Sequence, residues 1–128
     1  MLTIGAKAER VLVLESTADV DGEVIVNCPI ETQVVLRVSI TINGNPYDPI
    51  DVVLQERRFG FPARTYRYST AGLTKDSDGH YSRLVLLDKP GEFRYRFTAT
   101  GTATIPSSTR GTTGDIIINV DPSEFASL

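Results

Sequence analysis

Residues 79–98 read GHYSRLVLLDKPGEFRYRFT, and this stretch decides the fold class. Its second half alternates aromatic residues with arginines: Phe93, Arg94, Tyr95, Arg96 and Phe97. Successive side chains of a β-strand point to opposite faces of the sheet, so the aromatic side chains are predicted to face the core and the arginines the solvent. Residues 88–91, Asp-Lys-Pro-Gly, carry turn chemistry, because proline fixes φ and glycine accepts a positive φ. The stretch therefore predicts a long antiparallel β-hairpin.

Other segments of the chain repeat this combination of apolar alternation and turn residues. The residue types that favour strands are abundant, with 12 Val, 10 Ile and 14 Thr, and no segment has a sustained helical period. Besides the two strands of the hairpin, strands are predicted at 11–15, 23–27, 34–42, 52–58, 64–68 and 116–120. This spacing is typical of an antiparallel β-sandwich of about seven to nine strands. Residues 101–114, rich in Gly, Ser and Thr, are predicted to form a long exposed loop.

The length and the cysteine content limit the class of protein. A chain of 128 residues suits one domain with its own core, here 1–128, with 121–128 as a C-terminal tail. The single cysteine, Cys28, excludes an internal disulfide and a multi-cysteine metal site, and its apolar surroundings predict a buried thiol. Because the sequence contains neither a signal-peptide pattern nor an apolar run of membrane-span length, we expect a soluble protein made in a reducing cytoplasm, with no membrane partner.

The charges are unevenly distributed along the chain. The net charge is −3 and the isoelectric point is near 5.1, which argues against nucleic acid as a partner. Residues 1–51 carry −5, residues 52–110 carry +5, and the remainder carries −3. Either these are interspersed surface charges, or acidic and basic surfaces meet between copies of the chain. The second hypothesis requires self-association that weakens as salt is raised.

The sequence contains few groups of residues that could form a catalytic or metal site. His80 is the only histidine, and because it precedes Tyr81 at the start of a predicted strand, it should face water if Tyr81 faces the core. Asp76 and Asp78, followed by Gly79, form a weak calcium-site candidate, but a tight turn is the favoured interpretation. No enzyme and no cofactor are predicted.

Cations and tyrosines are interleaved along the predicted sheet. These residues are Arg57, Arg58, Arg64, Arg67, Arg94 and Arg96, with Tyr66, Tyr68 and Tyr95. Such a set could form a stacking platform for single-stranded nucleic acid. The acidic balance of the chain instead favours a solvated face or a protein interface.

Several motifs occur in an order that resembles a family of small immunoglobulin-like proteins encoded among tailed-phage virion genes. Residues 47–54, YDPIDVVL, are similar to the family's opening strand, and residues 65–68 read TYRY. Residues 75–81, KDSDGHY, place a Gly-x-Tyr after an acidic turn, and residues 87–97 resemble the family's Pro-Gly hairpin. Thr100-Gly101-Thr102 and residues 118–123, INVDPS, complete the set. The resemblance covers about residues 47–123, so 1–46 are expected either to add strands to the sandwich or to form an arm.

The resemblance implies a single immunoglobulin-like antiparallel β-sandwich. It also raises the expectation of a tyrosine corner, in which the hydroxyl of Tyr81 would bond backbone. Phe93 and Phe97 stand where the family often has larger aromatic residues, and Ser77 replaces the Asp of the antibody-type corner.

The function implied by the resemblance is a non-enzymatic structural component of the virion, in the neck that connects head to tail or on the capsid surface. Its partners would be capsid, portal, connector or tail proteins and copies of itself. The interface candidates are Arg57, Arg58, Arg94, Arg96, Thr102 and Arg110. The alternative is a carbohydrate-binding or host-surface-binding immunoglobulin-like module that uses Tyr66 and Tyr68 as a sugar platform.

Overall fold

The computed structural model describes residues 12–58, 60–100 and 110–122, and most of these lie in two β-sheets packed face to face. In chain order the strands are β1 (Val13–Val20), β2 (Glu23–Val24), β3 (Asn27–Pro29), β4 (Thr32–Ile42), β5 (Asn45–Pro46), β6 (Asp51–Arg58), β7 (Arg64–Arg67), β8 (Thr74–Ser77), β9 (His80–Leu87), β10 (Gly91–Thr100), β11 (Arg110–Thr112) and β12 (Ile116–Asp121). A single 3-10 turn, Tyr68–Thr70, follows β7. The all-β class is confirmed.

The order of the strands is that of an immunoglobulin sandwich. The first sheet runs β2-β1-β4-β9-β8, with β5 beside β4, and the second runs β3-β12-β10-β6-β7, with β11 beside β10. If β1, β4, β9 and β8 are lettered A, B, E and D, the first sheet has the order ABED. The second sheet then has the order G, F, C, C′ through β12, β10, β6 and β7. Among the described strands, every pairing is antiparallel except that of β3 with β12.

The predicted hairpin at 79–98 is wrong in its pairing. β9 and β10 are both strands, and residues 88–90 reverse the chain between them, but β9 pairs with β4 and β8, whereas β10 pairs with β6, β11 and β12. The connection is therefore an arch from one sheet to the other. Proline and Gly91, with φ of +116°, suit either kind of reversal, so the turn residues do not distinguish a hairpin from an arch.

The core lies between the sheets, and the predicted burial of the aromatic side chains of β10 is confirmed. Phe93, Tyr95 and Phe97 are buried, and Arg94 and Arg96 on the same strand are exposed. Facing these rings across the core are the alternate apolar side chains of the first sheet: Val34, Leu36, Val38, Ile40, Tyr81, Val85 and Leu87. Burying each large side chain contributes roughly 1.5–3 kcal/mol, which holds the two layers together.

Strand boundaries differ from the sequence predictions where the segments are short. The predicted strand at 23–27 is divided between β2 in the first sheet and β3 in the second. Residues 110–112, placed in the predicted loop, form β11 beside the end of β10, and the rest of that loop, 101–109, lies outside the described residues. β8 was missed because its sequence, TKDS, has no apolar alternation.

Candidate functional site

The outer face of the second sheet carries three of the predicted interface residues. β10 is the central strand of that sheet, and its ladder register sets Arg94 opposite Arg57 of β6 on one side and Ile117 of β12 on the other. Arg96 lies two residues further along β10, on the same face. Arg57, Arg94 and Arg96 are all exposed, and together they form what we call the arginine face.

Two carboxylates orient the arginine face. Nε of Arg94 donates to Oε1 of Glu92 at 2.7 Å, and Nε of Arg96 donates to Oδ1 of Asp115 at 2.9 Å. The hydrogen bond that Arg94 donates to Glu92, and the negative charge of that carboxylate, raise the pKa of Arg94. Arg57 has no ion pair among the residues that the structure describes. The face therefore presents three guanidinium groups against two carboxylates, an arrangement that suits an acidic protein surface.

The other interface candidates do not join this face. Arg58 follows Arg57 on β6 and so points to the opposite side, where its guanidinium lies 4.4 Å from the ring centroid of Phe61 and 5.5 Å from that of Phe93. Thr102 lies outside the described residues, as does the side chain of Arg110, whose backbone begins β11.

The calcium candidate forms a turn between two paired strands. Asp78 and Gly79 make the reversal from β8 to β9, and the carboxylate of Asp78 lies 3.3 Å from Nζ of Lys75. Within the described ranges no group of three or more His, Cys, Asp or Glu side chains is placed to hold a metal ion. The candidate residues thus form the end of β8 and the tight turn at Asp78 and Gly79, where Lys75 forms an ion pair with the Asp78 carboxylate.

A contact that sequence reasoning missed joins two of the motifs behind the family resemblance. Oδ1 of Asp48 accepts hydrogen bonds from the backbone N–H of Gly79 at 2.8 Å and from the hydroxyl of Tyr81 at 3.1 Å, and Oδ2 accepts one from Lys75 at 2.9 Å. The Gly79 bond, followed by the Lys75 bond, lowers the pKa of Asp48. The expected tyrosine corner is therefore wrong, since Tyr81 bonds a carboxylate rather than backbone and lies on β9, strand E, whereas a tyrosine corner lies on strand F. We call these four residues the Asp48 lock.

The tyrosines do not form an open platform. One face of the Tyr66 ring is covered by the guanidinium of Arg83, 3.7 Å from the ring centroid. The ring of Tyr68 meets that of Tyr81 edge-on, with 5.0 Å between the centroids. The two rings therefore pack against different neighbours, Tyr66 against Arg83 and Tyr68 against Tyr81.

The remaining reactive side chains occupy the places predicted for them. His80 is exposed, with Nδ1 2.8 Å from the carbonyl oxygen of Asp78. Cys28 is buried, and that burial is the main cause that raises the pKa of its thiol. A raised pKa disfavours the thiolate, so Cys28 is a poor nucleophile.

The sequence matches no protein-family model, and no curated protein is significantly similar to it. In the described part of the chain, no helix has the length and apolar character needed to cross a membrane.

Proposed function

We propose that this protein is a non-enzymatic structural component of a tailed-phage virion that acts by protein–protein assembly. It would be made in the cytoplasm of the host bacterium and would sit in the head–tail connection or on the capsid surface. The proposal rests on the ordered motifs between residues 47 and 123, and the observation that carries its mechanism is the arginine face. Its partners are other virion proteins and copies of itself.

The arginine face has the properties of a preorganised contact surface. Arg94 and Arg96 stand on a strand that is paired on both sides, so their backbone is held by the whole sheet. Glu92 and Asp115 restrict their side chains before any partner arrives. Restricting side chains in advance reduces the entropy lost on binding, and a guanidinium can donate two parallel hydrogen bonds to one carboxylate. An acidic surface repeated on a virion protein would fit this face.

The first experiment locates the protein in particles purified from the phage that encodes it and counts its copies. A ring of about six or about twelve copies would support the neck, and hundreds would support the capsid surface, since copy number follows the symmetry of the partner. Absence from purified particles contradicts the proposal.

The second experiment tests the arginine face with the double variant Arg94→Ser/Arg96→Ser. Both side chains are about half exposed, at 49% and 50%, so we expect the variant to fold with little change in stability. We expect it to be incorporated into particles at least about tenfold less efficiently than the original protein, because two charge-assisted contacts are lost. Arg94→Lys/Arg96→Lys is the matched control, which keeps both positive charges and removes the planar guanidinium groups. Normal incorporation of the Ser variant would show that another surface mediates assembly.

A further inference from the structure

One edge of the first sheet is left open by the shortness of β8. β8 pairs with β9 only as far as the Thr74–Ser82 pair, so residues 83–87 of β9 have no described strand on that side. The N–H of Ile40 bonds the carbonyl of Gly79, and the β4–β9 register continues this alternation along β9. The backbone groups of Leu84 and Leu86 therefore point away from β4, toward the open edge.

Behind this edge is a basic cleft between the two sheets. It has a volume of about 250 Å³, and its cationic lining residues are Arg58, Arg64, Arg83 and Lys89, beside the rings of Tyr66 and Phe93. Two carboxylates also line it, Glu56 and Asp88, so the cleft has an excess of positive charge.

The arginines of the cleft have unused donors. Nε of Arg58 and Nε of Arg83 are buried and have no hydrogen-bond partner among the described residues. The side chain of Arg58 is only 11% exposed, and its nearest carboxylate oxygen, on Asp88, is 4.0 Å away. The Glu56 carboxylate already accepts the hydroxyl of Tyr95 at 2.6 Å. A buried guanidinium without a full set of acceptors is costly, and a carboxylate entering the cleft would satisfy it.

The outer side of the same edge is apolar. Leu84 and Leu86 expose 57% and 54% of their surface, and the register places Leu84 beside Val35 on the outer face of the first sheet. The open edge therefore has exposed leucines on its outer side and arginines on its cleft side, so a strand added there would need different side chains on its two faces. Exposed strand edges of this kind accept additional strands.

We propose that the open edge of β9 binds an extended acidic segment of a partner protein, which pairs with residues 83–87 as an added β-strand. Residues directly opposite each other in a ladder share a face of the sheet. The segment would therefore place apolar side chains opposite Leu84 and Leu86, and carboxylates at the alternate positions, toward Arg58, Arg64 and Arg83. This surface is separate from the arginine face, and the proposal does not depend on a virion function.

The test uses the full chain and a fluorescein-labelled peptide, Thr-Val-Glu-Val-Glu-Val-Thr, with binding measured by fluorescence anisotropy. A peptide with Gln in place of both Glu residues should bind at least about tenfold more weakly, because it lacks the carboxylates. A peptide methylated on the backbone nitrogens that face β9 should lose binding, because it cannot pair with the edge. Equal binding of the Gln or methylated peptide, or no binding of the Glu peptide, overturns the proposal.

Matched variants of the protein identify the surface. Arg64→Gln, on the edge strand β7, should weaken binding of the Glu peptide by about fivefold, and Arg57→Gln, on the arginine face, should leave it unchanged. Amide hydrogen exchange should slow at Leu84 and Leu86 when the peptide is bound, which a purely ionic contact in the cleft would not cause. If Arg64→Gln and Arg57→Gln bind the Glu peptide equally well, the segment does not add to β9. The same conclusion follows if the peptide leaves amide exchange at Leu84 and Leu86 unaffected. Particle incorporation is tested separately with the Arg94 and Arg96 variants, so either proposal can fail alone.

Discussion

Asp48, which lies just before β6, connects its own segment through its carboxylate to the turn between β8 and β9. Its three donors, on Gly79, Tyr81 and Lys75, come from 27 to 33 positions further along the chain. Asp48→Ala removes the acceptor of a buried hydroxyl, and we expect it to destabilise the protein by about 1–3 kcal/mol in chemical denaturation. Asp48→Asn is the control, since its amide oxygen can still accept from Gly79 and Tyr81, and it should cost less than half as much. Equal losses would mean that the charge, rather than the acceptor, matters.

The same carboxylate predicts a dependence of stability on pH. The folded state lowers the pKa of Asp48, so its stabilising effect is fully present above the unfolded pKa of about 3.9 and is lost as pH falls through the lower folded pKa. Unfolding free energies of the original protein and of Asp48→Asn should therefore differ near neutral pH and converge in acid. A difference that stays constant down to the acid transition would contradict this role.

Two buried tyrosines predict an opposite effect in alkali. Burial is the main cause that raises the pKa values of Tyr81 and Tyr95, and hydrogen bonds to Asp48 and Glu56 add to it. Their neutral forms contribute stability that is fully present below about pH 10 and is lost as pH rises toward the folded pKa values. We expect the phenolate absorbance of these two residues to appear only with unfolding. Tyr81→Phe and Tyr95→Phe each should remove one phenol from that late step, and an unchanged late step would show that other tyrosines titrate there.

Alternation of apolar and polar residues along a strand correctly predicted which side chains are buried. It separated Phe93, Tyr95 and Phe97 from Arg94 and Arg96, and it placed His80 in solvent, because each depends only on neighbours in the chain. The partners of Asp48, and the Glu56–Tyr95 bond between the neighbouring strands β6 and β10, depend on which distant segments of the chain come together. Those contacts join residues 27 to 39 positions apart, so no local pattern indicates them.

At the scale of elements, the connection from β9 to β10 shows that neighbouring residues can predict strands without predicting which strands pair. Both strands alternate correctly and the residues between them reverse the chain, yet the strands lie in different sheets. A hairpin would pair them edge to edge, whereas an arch lets the buried rings of β10 pack against β4 and β9 from the opposite layer. That choice depends on the packing of the whole core, which is why residues 79–98 predicted the strands and not their pairing.

Gly79, in the turn between β8 and β9, and Gly44, in the turn between β4 and β5, form a matched pair of glycines. Gly79 has φ of +73°, and a Cβ built on it would lie 2.6 Å from the carbonyl oxygen of Ile40. Gly44, in the β4–β5 turn, has φ of +81° with nothing within 4 Å of such a Cβ. Gly44→Ala should cost about 1 kcal/mol from backbone strain alone, and Gly79→Ala about 2–4 kcal/mol, because it adds a clash with backbone and disturbs the Asp48 lock. Similar losses for the two variants in urea denaturation would show that the close approach is unimportant.

At the scale of the whole molecule, the two outer faces of the sandwich differ in charge. Carboxylates outnumber cations on the outer face of the first sheet, where Glu15, Asp19 and Asp76 accompany Arg37. On the outer face of the second sheet, four arginines and four carboxylates balance, and these residues are Arg57, Arg67, Arg94 and Arg96 with Asp51, Glu92, Asp115 and Asp121. Because the faces lie on opposite sides, a contact between them joins copies in a head-to-tail order, which forms a ring when its rotation closes.

The hypothesis that the carboxylates of the first sheet meet the arginines of the second between copies predicts how self-association should respond to charge. Raising salt from about 50 mM to about 500 mM should weaken any face-to-face association measured by sedimentation, because the Debye length becomes shorter than the separation of exposed charges. Arg94→Glu/Arg96→Glu and Glu15→Arg/Asp76→Arg each make both faces alike, so neither variant alone should associate. A mixture of the two should associate again, since each variant supplies the charged face that the other lacks. Association that ignores salt, or a mixture that stays monomeric, would show that copies of this chain do not meet through these faces.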